Sequence, residues 1–224
     1  MSTNLRSVSG FIFCCVALLS PSPAQAQWGR VYTKVDLGGT VVADTELKEF
    51  LGPVASNSTV EFDPGFRFGI AMGYQVTDWF SGEVETGYMY NSIASITDSS
   101  GLDASYSNVP FLVNGRLQWP NRSRLTPYCG AGVGFTASLL DANYITVGDV
   151  TLVGSETEFV FAWQAFAGLR YQFNDNMGLS VEFHYFWADS TEWTVDVTYG
   201  TFSNKIRFGD TQTYVATIAF QYRF

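Results

Sequence analysis

From Thr211 to Phe224 the chain alternates with a period of two. Tyr214, Ala216, Ile218, Phe220, Tyr222 and Phe224 share one face, opposite Thr213, Val215, Thr217, Ala219, Gln221 and Arg223. That period belongs to an extended strand, and an aromatic and aliphatic face backed by a small, polar one suits a wall with lipid outside and a lumen inside. The same alternation predicts strands over 31–37, 66–74, 80–90, 109–119, 128–135, 161–173 and 179–187, with 211–224 as the eighth. In the third of them Glu83 and Glu85 fall in one phase. Two neighbouring carboxylates cannot face hydrocarbon, so they fix which side is the lumen.

Connection lengths alternate as well. The links 75–79, 120–125 and 174–176 are short, whereas 39–64, 92–108, 136–158 and 188–210 are long. Short periplasmic turns and long extracellular loops are the pattern of an antiparallel up-and-down transmembrane barrel, with both termini in the periplasm. Within the first long loop, 44–51 (DTELKEFL) reads as a short amphipathic helix, with Leu47, Phe50 and Leu51 on one face and Gly52-Pro53 as its stop. The segment 145–153 reads as a hairpin tip about Gly148-Asp149 that lengthens the third loop.

The N-terminus carries Arg6, an apolar run over 8–19 and Ala24-Gln25-Ala26, the three parts of a secretory signal peptide. Residues 1–26 are therefore expected to be removed, leaving 27–224 as one barrel domain. A run of about 12 apolar residues falls short of the roughly 20 that a spanning helix needs. Cys14 and Cys15 leave with the signal and Cys129 remains, so no internal disulfide is expected. The formal charge is −9, which argues against a nucleic-acid partner.

Three segments resemble the small eight-stranded barrels of the OmpA-type and opacity-type bacterial outer-membrane proteins: FRFGIAMGY (66–74), FAWQAFAGLRYQF (161–173) and the terminal FQYRF (220–224). The resemblance implies a Gram-negative outer-membrane location, contact with lipid and lipopolysaccharide, and a monomeric barrel. It also implies that Phe220, Tyr222 and Phe224 serve as the signal read by the outer-membrane assembly machinery. A soluble lipocalin-like barrel is the structural rival, but its apolar residues should point inward, opposite to the phase that the charges set here.

The candidate site is the lumen. Lys34, Asp36, Arg67, Glu83, Glu85, Arg116, Arg170, Glu182, His184 and Arg223 all fall in the inward phase. An eight-stranded barrel is only wide enough for side chains to fill, so these residues are expected to pair as a buried ion network. Glu182, His184 and Ser190 invite comparison with lipid-A-modifying barrels, yet Tyr185 and Phe186 follow His184 where a deacylase-like pattern has a serine. The GAGVG run at 130–134 reads as lumen glycines making room for large neighbours. A lone histidine lacks companions for a metal site. The expectation is a non-enzymatic protein without metal or cofactor. Its role is envelope integrity or surface contact, with possible ligands at the acidic long loops. A small porin-like channel is the alternative.

Overall fold

The computed structural model describes residues 30–50, 58–97, 99–147, 150–194 and 205–224. The region read as a signal peptide, 1–26, lies outside them. Eight strands close a ring: β1 (Val31–Val42), β4 (Gly65–Gln75), β5 (Phe80–Ile96), β6 (Ser99–Gln118), β7 (Leu125–Val147), β8 (Val150–Gln172), β9 (Met177–Ala188) and β12 (Thr211–Arg223). Every neighbouring pair is antiparallel, and β12 returns to β1 with Val35 opposite Phe220 and Leu37 opposite Ile218. This is the all-β, eight-stranded ring that the alternation predicts.

Its two phases separate as the charges require. Ile70, Met72, Val84, Val113, Val133, Val181 and Ile218 are exposed on the outer wall, while Arg67, Glu83, Glu85, Arg116 and Glu182 are buried inside. Aromatic belts bound the apolar band, with Tyr74, Trp119, Tyr171, Phe173 and Tyr222 toward the short turns and Phe66, Phe111, Phe135, Phe161 and Tyr214 toward the other end. Phe161 and Tyr171 are about ten residues apart on β8, roughly 34 Å along the strand and about 26 Å in height at a ~40° tilt. That is the thickness of hydrocarbon such barrels cross. Val181→Arg, on the outer wall near mid-band, is expected to lower stability by about 2 to 4 kcal/mol. Urea unfolding in vesicles, compared with Ser180→Ala on the inner wall, measures the difference, and equal losses would reverse the assigned faces.

The remaining strands build a second tier beyond the upper belt. There β5 leaves β4 and pairs with β3 (Thr59–Phe62), which pairs with β2 (Thr45–Phe50), then β11 (Lys205–Phe208), then β10 (Glu192–Thr194). With the upper lengths of β5, β6, β7 and β8, these strands surround an interior of opposite character. Leu47, Phe50, Val60, Ile93, Tyr106, Leu140, Ile145, Trp193, Ile206 and Phe208 form a buried apolar cluster. Trp193 packs edge-on against Phe208 at 5.0 Å and Tyr106 at 6.3 Å. Among the described residues no strand pairing joins the edges of β8 and β10; instead the Glu192 amide donates to the Glu158 carboxylate. The Glu192 carboxylate accepts from Lys205 at 2.5 Å and Arg207 at 2.8 Å. Those cations hold it below the ordinary carboxylate range, the Lys205 hydrogen bond foremost.

This tier corrects three readings of the sequence. The helix expected over 44–51 is a strand, Thr45–Phe50, with Leu47 buried between exposed Glu46 and Lys48. Its period is two because β3 and β11 flank it and complete its hydrogen bonds, a tertiary demand that overrides helix propensity. Residue 51 of that expectation lies outside the described residues. The long connections 92–108 and 136–158 are mostly strand, since β5 meets β6 near 97–98 and Val147 pairs with Val150 across the tip at 148–149. The segment 188–210 contributes β10 and β11, so the sheet has twelve strands in which eight make the membrane ring. The hairpin tip expected at Gly148-Asp149 lies outside the described residues; Val147 and Val150 on either side of it pair.

Candidate functional site

Within the membrane band the inward phase brings nearly all the candidate residues into one connected set. Arg67 lies between two acids on flanking strands: its Nε donates to Asp36 Oδ1 at 3.0 Å and its Nη2 to Glu85 Oε1. Glu85 Oε2 accepts from Asn114 at 2.6 Å and from Gln164 at 3.0 Å. Across the lumen Glu182 accepts from Lys34 Nζ at 2.9 Å, from the Tyr128 hydroxyl at 2.5 Å and from Ser180 at 3.3 Å. Glu83 accepts from Tyr32 at 2.6 Å and pairs with Arg116 at 2.9 Å and Lys34 at 3.8 Å. The Arg116 guanidinium lies over the rings of Tyr32 and Tyr128, at 4.7 and 5.2 Å from their centroids. Four carboxylates and three cations, Lys34, Arg67 and Arg116, are buried together here, an arrangement that persists only when the charges are paired and hydrogen-bonded.

His184 has no exposed surface. Its Nε2 lies 3.0 Å from Glu182 Oε2, its Nδ1 lies 3.4 Å from Gln164 Oε1, and its ring stacks on Phe166 at 5.5 Å. Ser190 is not brought to it; the Ser190 hydroxyl lies beside Asp189 at the upper rim. Among the described residues no group of three His, Cys, Asp or Glu side chains is arranged to hold a metal.

Arg170 and Arg223 differ from the rest. Arg170 reaches only the amide oxygens of Gln221 at 3.0 Å and Gln118 at 3.1 Å, and no carboxylate among the described residues pairs with Arg223. Of the terminal aromatics, Phe220, Tyr222 and Phe224 are exposed on the outer wall, and Tyr222 meets Phe224 edge-on at 5.3 Å.

Glycines leave space for the large lumen groups. A Cβ at Gly69 would collide with the Asp36 carboxylate, and one at Gly168 would strike the Tyr128 ring and the Val181 carbonyl. The sequence reading named only the titratable lumen residues and missed that Tyr32, Asn114, Tyr128 and Gln164, inward on their own strands, bind the acids. Their shared parity with Glu83, Glu85 and Glu182 was the available signal.

The lumen is filled in successive layers. Above the ionic set lies an apolar layer of Met89, Leu112, Val160, Ala162, Phe186, Ala188 and Val215. Over it, hydroxyl and amide groups interlock: Ser138 donates to Asn108 at 2.8 Å, Thr40 to Asn91 at 3.0 Å, and the Tyr106 hydroxyl lies 3.3 Å from that of Thr211. The apolar interior of the upper tier follows. Such a column is a packed core crossing the membrane.

Residues 11–224 match the family described as the outer membrane protein beta-barrel domain. Outer membrane protein PagN of Salmonella typhimurium is 31% identical over 137 residues, 54% of this chain and 56% of PagN. The chain thus spans about half the length of the curated relative it matches. Among solved structures, OprG of Pseudomonas aeruginosa superposes with a TM-score of 0.62 at 14% identity, covering 88% of this chain and 97% of OprG. AlkL, solved in lipid bilayers, gives 0.55 at 16% identity over 92% of this chain and 95% of its own. At those identities the likeness is one of fold.

Proposed function

Because the chain belongs to the outer membrane protein beta-barrel family and is a protein of the outer membrane, we propose that it acts as a sealed pedestal. The ring anchors and braces, and the upper tier presents a rigid surface for contact outside the cell. The observation that carries this reading is the succession of ionic, apolar and again apolar layers down one axis. The exterior of the upper tier is acidic, with Asp44, Glu46, Glu61, Asp103, Asp141 and Glu156 exposed. A partner of basic surface fits it, and its binding would weaken as salt screens the attraction. Lipid and lipopolysaccharide contact the belts, the ring works as a monomer, and the terminal Phe220, Tyr222 and Phe224 serve the assembly machinery. The lumen residues Lys34, Asp36, Arg67, Glu83, Glu85, Arg116, Glu182 and His184 are structural in this reading. In this reading the protein is not an enzyme: Glu182, His184 and the neighbouring Ser180 are all buried, and the Ser180 hydroxyl is engaged as a donor to Glu182.

Planar-bilayer recording tests the reading against the porin-like alternative. The purified barrel should add no conductance above the bare membrane, and a steady ohmic current would favour the channel. On intact cells a protease-sensitive tag at Asp98 should be cut from outside and one at Arg122 should be protected. The reverse pattern would invert the orientation.

A further inference from the structure

Three arginines converge where the lumen meets the short turns. Arg170 is buried on β8, Arg116 is buried on β6, and Arg223 sits half-buried at the end of β12. Arg170 Nη1 and Arg116 Nη1 both donate to a single neutral atom, Gln221 Oε1, at 3.0 and 3.3 Å. Arg116 has Glu83 as counterion. Arg170 and Arg223 have no carboxylate within pairing distance among the described residues, although both lie in the electrostatic reach of Arg116. Counting Arg170, the buried lumen holds four cations, with Lys34, Arg67 and Arg116, and four carboxylates, so Arg223 is the charge left over at the mouth.

Like charges drawn onto one amide oxygen repel, and a guanidinium taken from water without an anion costs free energy. Here the arrangement borders a recess. Arg170, Gln221, Arg223, Gly178, Asn176 and Asp175 line an opening of about 10 Å³ at the turn end, room for one water-sized group. Gly178 has no side chain, and a Cβ there would crowd the stem of Arg170 at 3.2 Å. The Nε of Arg223 is buried yet has no acceptor. Asp175 is exposed at the rim and offsets Arg223 from a distance.

We propose that this mouth is an oxyanion site: one oxygen of a phosphate or carboxylate enters the recess and accepts from Arg170 and Arg223, its remaining atoms outside. Planar, charged donors fixed by packing are suited to such oxygens. The size of the recess selects for the end of an anionic group and against burial of a whole small molecule. The source is either a soluble periplasmic oxyanion or an anionic headgroup of the inner leaflet. This site stands whether or not the lumen conducts, so it fails independently of the pedestal reading.

The test is nuclear magnetic resonance of arginine-labelled full-length barrel refolded in a phosphate-free maltoside detergent, titrated with inorganic phosphate and, separately, acetate. Saturable shifts of the Arg170 and Arg223 Nε–H signals in the millimolar range are expected, with Arg122 and Arg124 in the exposed turn changing little. Arg223→Gln, at the half-buried rim, should fold and weaken binding at least about tenfold. In nanodiscs of phosphatidylglycerol a headgroup source would leave the shift present before any phosphate is added, whereas a soluble source would require the addition. Either result supports the site and names its origin. Absence of saturation, or equal shifts at Arg122 and Arg124, would overturn it.

Discussion

Replacing Arg67 by methionine should lower the unfolding free energy of the barrel by about 3 to 5 kcal/mol, the range for breaking a buried pair from one side. Arg67 has no exposed surface and bridges Asp36 on β1 to Glu85 on β5. Glu85 would keep Asn114 and Gln164 as donors. Asp36 would keep none among the described contacts and so bears most of the cost. The second substitution Asp36→Asn should therefore return part of the loss, and a double-mutant cycle read by urea unfolding in vesicles gives the coupling directly. Arg67→Lys should restore little, since a point charge cannot span both acids in the fork geometry. A loss below about 1 kcal/mol would mean that water reaches the pair. Conductance should stay at the baseline in Arg67→Met, because the layer of Met89, Leu112, Val160 and Phe186 lies above the change. In this barrel bracing and sealing belong to different layers.

The second large effect belongs to the upper tier. Trp193→Ala should cost that tier about 3 to 5 kcal/mol, the range for an aromatic removed from a packed core. Trp193 is buried, packs edge-on against Phe208 and Tyr106, and donates from Nε1 to the Ser138 carbonyl at 3.4 Å. It lies on the three-residue β10, at the edge of the tier where pairing with β8 is missing. Amide exchange in β2, β3, β10 and β11 should accelerate by two orders of magnitude or more. The lower lengths of β9 and β12 should keep their protection. If the whole ring loosened together, the two tiers would form one cooperative unit and the division drawn between them would be wrong.

What could be read from the residues divides along the same line. In the membrane band every position carries two independent constraints, lipid outside and counter-charges inside. Runs such as Phe66 to Tyr74 therefore declare both strand and phase. Glu83 and Glu85 fixed the lumen side before any contact was known. Above the belt the outer face meets water, so the outward apolar signal disappears and 92–108 reads as loop although 92–96 and 99–108 are strand. Thr45–Phe50 looked helical because Leu47, Phe50 and Leu51 satisfy a helical spacing, and nothing local reveals that β3 and β11 will flank it. The ionic set was legible as a list of inward residues but not as a wiring diagram. Which acid takes which base depends on registers between strands distant in sequence, such as Lys34 with Glu182. Arg170 and Arg223, counted as members by parity, lie below the last carboxylate and reach none of them.

The change of the outer wall from apolar to acidic above the upper aromatic belt also acts as a waterline. Sliding the barrel deeper would drag the acidic exterior around Asp103 and Asp141 into hydrocarbon. Lifting it would expose the apolar wall at Val84, Val113 and Ile218 to water. Both displacements are uphill, so the protein floats at one depth, and the paired tips of β7 and β8 stand at a constant elevation above the headgroups. On the proposed reading, in which the upper tier meets a partner outside the cell, that elevation is a ruler: lengthening or trimming β7 and β8 by a paired step resets the reach by about 5 Å.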